Sequence, residues 1–278
     1  MLQFEVPTGG ISVDDTMYIV AATDHTEEQA FNRAVLAVSE DDGYTFEKVY
    51  DLSTEKFLAV DLAKVSEGDV AGFPHEGDTV LLFGAGVYRG SSPRFACVPS
   101  RQIREKGAIR YFAGLDGDSQ PVWKESEDEA LALFEHRQVG EMSVKWCGQL
   151  KRWIMLYNSM EPRGIVFRCA ERPWGPWSDA AVLFDPFRDG GYGNFMHSPL
   201  PEHADGPNAH DPGLEGHWGA EYGPYLLPRY FQGSMDRCTI YFTMSTWNPY
   251  QVVLMQADIG YHEVSPATNP GTNPTGGG

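Results

Sequence analysis

The chain has 278 residues, with 39 Asp and Glu against 21 Lys and Arg, a formal net charge of −18. So acidic a surface argues against nucleic acid or an anionic membrane as partner and is compatible with a neutral ligand such as an uncharged glycan. No apolar run is long enough to span a bilayer, and MLQFEVPTGG lacks the basic, apolar and cleavage segments of a signal peptide.

In chain order, GGISVD and TMYIVAAT read as two strands turning at Asp14-Asp15, followed by RAVLAVS and FEKVYDL. Between the last two lies Ser39 to Phe46, which matches the Asp-box pattern S-x-D-x-G-x-T-[WF]. There the Asp side chain can accept backbone N–H bonds and Gly tolerates positive φ. A second unit starts near Phe57: FLAVDLAKV, TVLLFGAG and PRFACVP, then RYFAGL and PVWKE. The third holds GEMSVKWCGQLKRWIMLYN, a strand, a polar turn and a second strand, then GIVFRCA and AAVLFD. A long Gly/His/Pro-rich loop, Asp189 to Gly219, is expected to be functional or disordered. The fourth unit is YGPYLLPRYF, CTIYFTMST and YQVVLMQADI, with no clear fourth strand.

Four-stranded antiparallel units in series predict an all-β fold, a β-propeller, over residues 1–262. Residues 263–278, rich in Pro, Gly and Thr, read as a disordered tail or a tether, which suits an extracellular or envelope-associated protein. Cys97, Cys147, Cys169 and Cys238 form no CxxC pair; they are buried free thiols or make one or two disulfides.

In a propeller, the loops leading into innermost strands share one face with the loops between second and third strands. That face is expected to receive Asp24, His25, Asp61, residues 86–92, Glu141, Asn158, Arg163, Tyr192, His197, Glu221, Tyr222, Trp247 and Asn248. Glu141 and Glu221 lead into innermost strands of consecutive units and could converge on the channel mouth. Paired carboxylates are the machinery of glycoside hydrolysis; alternatively each caps backbone amides or pairs with Arg163 or Arg229. Glu141 beside Met142 and Val144 fits a general acid, and Glu221 a base or a partner that tunes it. Trp247 is placed for sugar stacking or for packing between blades. His25, His197, His203, His210 and His217 lack ligand spacing, so no metal is expected. With no P-loop, G-x-G-x-x-G or G-x-S-x-G motif, no cofactor or serine elbow is expected either.

The segments TGGISV, GEMSVKW, LKRWIMLYN, PWGPW, DGGYGNFMH, EYGPYLLPR and YFTMSTWNPYQVVLM together resemble the family known as domain of unknown function 4185. The resemblance implies a five-bladed propeller of the glycoside hydrolase type, some members being endo-acting D-arabinanases of glycoside hydrolase family 183. It also implies a polysaccharide or oligosaccharide ligand and acids at the starts of innermost strands, in agreement with Glu141. Family members carry a further blade, with an acidic residue, before the segment that begins here at Thr8. About four blades are therefore expected in this sequence. If that acid is catalytic, the chain is expected to fold without turning over substrate. A non-catalytic glycan-binding propeller and an adhesive module are the alternatives.

Overall fold

Alternating apolar residues between tight turns build four antiparallel sheets, each following the last in the chain. The computed structural model describes residues 6–28, 30–203 and 216–260; the predicted tail and His210 lie outside them. Blade one is β1 (Val6–Val13), β2 (Thr16–Thr23), β3 (Arg33–Ser39) and β4 (Glu47–Ser53). Blade two is β5 (Ala59–Val65), β6 (Thr79–Ala85), β7 (Arg94–Pro99), β8 (Arg110–Leu115) and β9 (Pro121–Lys124). Blade three is β10 (Met142–Cys147), β11 (Arg152–Met160), β12 (Arg163–Ala170) and β13 (Ala181–Phe184). Blade four is β14 (Ala220–Leu226), β15 (Gln232–Gly233), β16 (Arg237–Trp247) and β17 (Gln251–Gly260). The fold is a four-bladed propeller, and β1, β5, β10 and β14 are its innermost strands.

Two details depart from the strand pattern. Blade two has five strands, because RYFAGL and PVWKE both join it. In blade four the run YGPYLLPRYF does not stay one strand: β14 ends at Leu226, and Pro228, which has no N–H to give to a ladder, opens a short 3-10 turn through Tyr230. Both β14 and β15 pair with β16, on the side away from β17.

The middle strands of blades two and three are apolar on both faces because each serves two cores. On β11, Trp153, Met155 and Tyr157 join blade three to blade two, while Ile154 and Leu156 join it to blade four. On β6, Val80 and Leu82 pack toward blade one, and Leu81 and Phe83 toward blade three. Phe83, Phe95, Trp123 and Trp174 interlock in the second junction, with Phe83 and Phe95 rings 4.9 Å apart. Truncating one such ring to alanine costs about 3–5 kcal/mol. Blade four is one-sided: Ile240, Phe242 and Met244 are buried, while Val252 and Leu254 are 68% and 66% exposed. Among the described residues, buried clusters fill the junctions 1–2, 2–3 and 3–4, and none joins blade four to blade one.

Innermost strands of neighbouring blades share no ladder, so side chains bond their backbones. Thr8 Oγ1 donates to Val60 O and accepts from Val60 N, both at 3.0 Å, where Gly9 lets β1 approach β5 closely. Asp61 accepts from Val144 N at 2.6 Å, and Ser143 Oγ accepts from Leu226 N at 3.2 Å. All four cysteines are free thiols; Cys147 and Cys238 come closest, Sγ to Sγ 3.6 Å, across the last junction.

The Ser39–Phe46 turn is held by Asp41, which accepts from Thr45 N at 2.9 Å and Thr45 Oγ1 at 2.6 Å. These bonds, the Thr45 hydroxyl first, lower the Asp41 carboxyl to about 2.

Candidate active site

Glu141 directly precedes β10, and Glu221 is the second residue of β14. Gly140 is required beside Glu141, because a Cβ there would collide with the Asn158 side chain beneath it. Gly140 N donates to Asn158 O at 2.9 Å, which pins the loop to β11. The Glu141 carboxylate is then met by the Tyr88 hydroxyl, which donates to Oε2 at 3.2 Å, and by the Gly223 amide of blade four. Burial pushes the Glu141 carboxyl up; its own amide, Arg89, Tyr88 and Gly223 pull against that rise.

Glu221 is 4% exposed. Arg163, the first residue of β12, sits 3.6 Å from its Oε1, and Oε2 has no hydrogen-bond donor. Burial raises this carboxyl as well, offset by its own amide and by Arg163 and Arg89. The field of Arg89 thus reaches both glutamates, which ties the two carboxyls to one electrostatic site. Arg89 is anchored by its own amide, which donates to Val139 O at 3.2 Å, and its guanidinium lies over the Tyr88 ring.

Arg163 is held by aromatics. It donates to the Tyr192 hydroxyl at 2.5 Å, and that hydroxyl donates to Gly219 O at 3.0 Å. The Tyr192 ring lies 4.7 Å from Phe187 and 4.9 Å from Trp218. Phe187 and Trp218 are 54% and 41% exposed, so they present open ring surface next to the Arg163–Glu221 pair.

The structure therefore draws Glu141, Glu221, Asn158, Arg163 and Tyr192 together. His197 and Asn248 lie buried behind them: His197 N donates to Asn248 O at 3.1 Å, Asn248 Nδ2 donates to His217 O at 2.8 Å, and His197 Nε2 has no partner. Tyr222 is half-buried in the neighbourhood of Ser245, Tyr250 and Glu141. Trp247 stands 40% exposed at the end of β16.

Two acids expected on this rim are engaged elsewhere. Asp24 is gripped by Arg33, Nε to Oδ2 at 2.7 Å and Nη2 to Oδ1 at 3.1 Å, which lowers its carboxyl. His25, next to it, is exposed, with Nδ1 3.3 Å from Ala30 O. Asp61 does not open onto the rim at all: it lies within β5, fully buried, and both its oxygens take Lys145 Nζ at 2.7–2.8 Å. Its place in the sequence, near the start of a strand, says nothing of a lysine on the neighbouring blade.

Sequence reasoning placed the loop of residues 86–92 on this face without singling out Tyr88 and Arg89, and it missed Phe187 and Trp218. The signal for Arg89 was there: a cation in a loop between second and third strands, the same kind of position as Arg163. Among the described residues, no three His, Cys, Asp or Glu side chains cluster as for a metal ion.

The family model described as "Domain of unknown function (DUF4185)" matches residues 3–256. No curated protein matches the chain. Among solved structures, the endo-arabinase from Bacteroides thetaiotaomicron VPI-5482 superposes with a TM-score of 0.51 at 9% identity, over 92% of this chain and 76% of that one. The alpha-L-arabinanase of Penicillium chrysogenum complexed with arabinobiose gives 0.42 at 11% identity, covering 92% and 62%. The GH43_1 enzyme from Xanthomonas citri complexed with xylotriose gives 0.34 at 12% identity, covering 93% and 88%. At these identities the likeness is one of fold, and the first of the three carries it.

Proposed function

The chain belongs to the DUF4185 family, and from that premise we propose that it is a glycoside hydrolase-type propeller whose carboxyl pair, Glu141 and Glu221, acts on a furanose-rich polysaccharide such as arabinan. The observation that carries the reading is Glu221: a buried carboxylate with one oxygen unpartnered, within the field of an arginine that also reaches a second, half-buried glutamate. A carboxylate left in that state is relieved by a substrate hydroxyl or a water to be activated.

Glu141 takes the role of general acid. Desolvation raises its carboxyl and so favours the protonated form an acid needs, and Tyr88 fixes the carboxyl that must give the proton up. Glu221, with Arg163 beside it, is the base or the charge that tunes Glu141. Phe187 and Trp218 offer faces for the C–H side of a sugar ring, while Asn158, His197 and Asn248 lie buried beneath that mouth. The fold likeness to an endo-arabinase supports this choice of substrate class, and such a substrate suits a protein working outside the cell.

The test is product release from arabinan by the protein and by Glu141→Gln. The variant should stay folded and lose about a hundredfold or more in rate. Full activity in the variant would remove Glu141 from the mechanism. One observation favours a second reading: Asp24 and Asp61, the further acids expected here, are both paired. Retention on arabinan without any product would decide for a non-catalytic glycan-binding propeller.

A further inference from the structure

At the seam between blades two and three, by the strand ends far from the glutamates, lies a cavity of about 500 Å³, within the size range of small-molecule sites. Its wall includes Trp146, Trp153, Asp69, Gln120, Glu171 and Arg172. Trp146 lies five residues along β10 from Glu141, about 17 Å at roughly 3.4 Å per residue. Between them along the innermost strands stand Asp61 and Lys145, locked to each other, with Lys145 Nζ also donating to Leu62 O. The cavity is therefore separate from the carboxyl pair.

Three features point to what it takes. Trp146 is 44% exposed, although it shares a face of its strand with buried Val144. Its ring is 5.8 Å from that of Trp153, tilted at 59°, so the cavity has an aromatic corner rather than a flat patch. Trp153 is 2% exposed, and its Nε1–H has no acceptor in the protein. A buried N–H in that state costs about 1–3 kcal/mol, and a ligand oxygen would remove the cost. The charges around the cavity balance: Lys64 and Arg172 against Asp69 and Glu171. Lys64 is already paired with Asp78 at 3.0 Å and Glu171 with Arg152 at 2.9 Å. Such a wall creates little net field and selects neither an anion nor a cation. Aromatic faces, an unfilled N–H donor and neutral-on-balance polar groups are the recognition chemistry of an uncharged, hydroxyl-rich ring.

We propose that this cavity is a second saccharide-binding site, remote from the glutamates, in which a neutral sugar unit stacks on Trp146 and accepts a hydrogen bond from Trp153 Nε1–H. It does not depend on whether Glu141 and Glu221 perform catalysis. In a chain that acts on polysaccharide at the glutamate mouth, it would hold a strand of the same polymer against the protein.

The chain has 7 tryptophans, so a ¹⁵N-indole spectrum gives a readable signal from each, assignable by single Trp→Phe substitutions. Titration with arabinobiose and with xylotriose should move the Trp146 and Trp153 signals. Trp146→Ala should weaken that response about tenfold, with the melting temperature nearly unchanged because the indole is half exposed. Gln120→Ala, on an exposed turn, provides a second variant that leaves the core untouched and should weaken it less. Shifts confined to Trp218 and Trp247 would overturn the second site and leave the glutamate mouth standing. Shifts at Trp146 and Trp153 alone would uphold this site and count against the other. If neither sugar moves any indole, both sites fall.

Discussion

Asp61 on β5 and Glu221 on β14 are both buried carboxylates, 0% and 4% exposed, each on the innermost strand of its blade. Asp61 is fully answered: Lys145 Nζ reaches both oxygens and Val144 N donates at 2.6 Å. Glu221 is half answered, with a guanidinium at 3.6 Å and one oxygen left without a donor. Burial alone therefore does not mark a functional acid. A satisfied carboxylate between two blades is a fastener; an unsatisfied one beside a cation and a second raised carboxyl is ready for a ligand.

The comparison breaks first at Lys145. Lys145→Met leaves Asp61 buried without its counter-charge and should cost about 3–5 kcal/mol in urea unfolding. A midpoint within error of the wild type would mean that Asp61 is no fastener. A smaller effect belongs to the aromatics beside Arg163. Trp218→Ala should weaken retention on arabinan by about 0.5–1.5 kcal/mol, roughly two- to tenfold. Trp247→Ala should weaken it less, and neither should lower the melting temperature appreciably. Loss of stability with unaltered retention would show that these indoles only pack.

The smallest effect has the opposite sign to the first. The folded-state pKa of Glu221 lies above its ordinary 4.5, so the proton on it stabilises the fold. That contribution is complete below 4.5 and is lost as pH rises through the folded value. Glu221→Gln keeps the shape without the charge. It should melt slightly higher than the wild type at pH 7, and the two curves should converge as the pH falls below about 4.5. Equal melting at pH 7 would mean that the carboxylate is better solvated than its burial implies.

The strands, the blade order and the sharing of a rim by Glu141, Glu221 and Arg163 were legible in the sequence. They depend on local alternation, on turn residues and on which end of a strand a loop occupies. The role of Asp61 was not legible, because its partners Val144 and Lys145 lie 83 and 84 residues away and are set by how one blade seats against the next. Phe187 and Trp218 escaped for a related reason. They belong to one long loop, and no periodicity states where such a loop folds back. Trp153 read as one residue in an apolar run, and nothing local distinguishes an indole N–H with an acceptor from one without.

The seam between blades four and one also governs cooperativity. A closed ring has no terminus, whereas the described residues of the four blades meet at three junctions and form a linear array whose end members each have one neighbour. Nearest-neighbour coupling then makes the ends fray before the middle. Amide exchange should be slowest on β6 and β11, which feed two cores each, and fastest on β17. The carboxyl pair straddles that gradient: Glu141 sits on an interior member and Glu221 on a terminal one, so the integrity of the site is set by the less stable of its two halves.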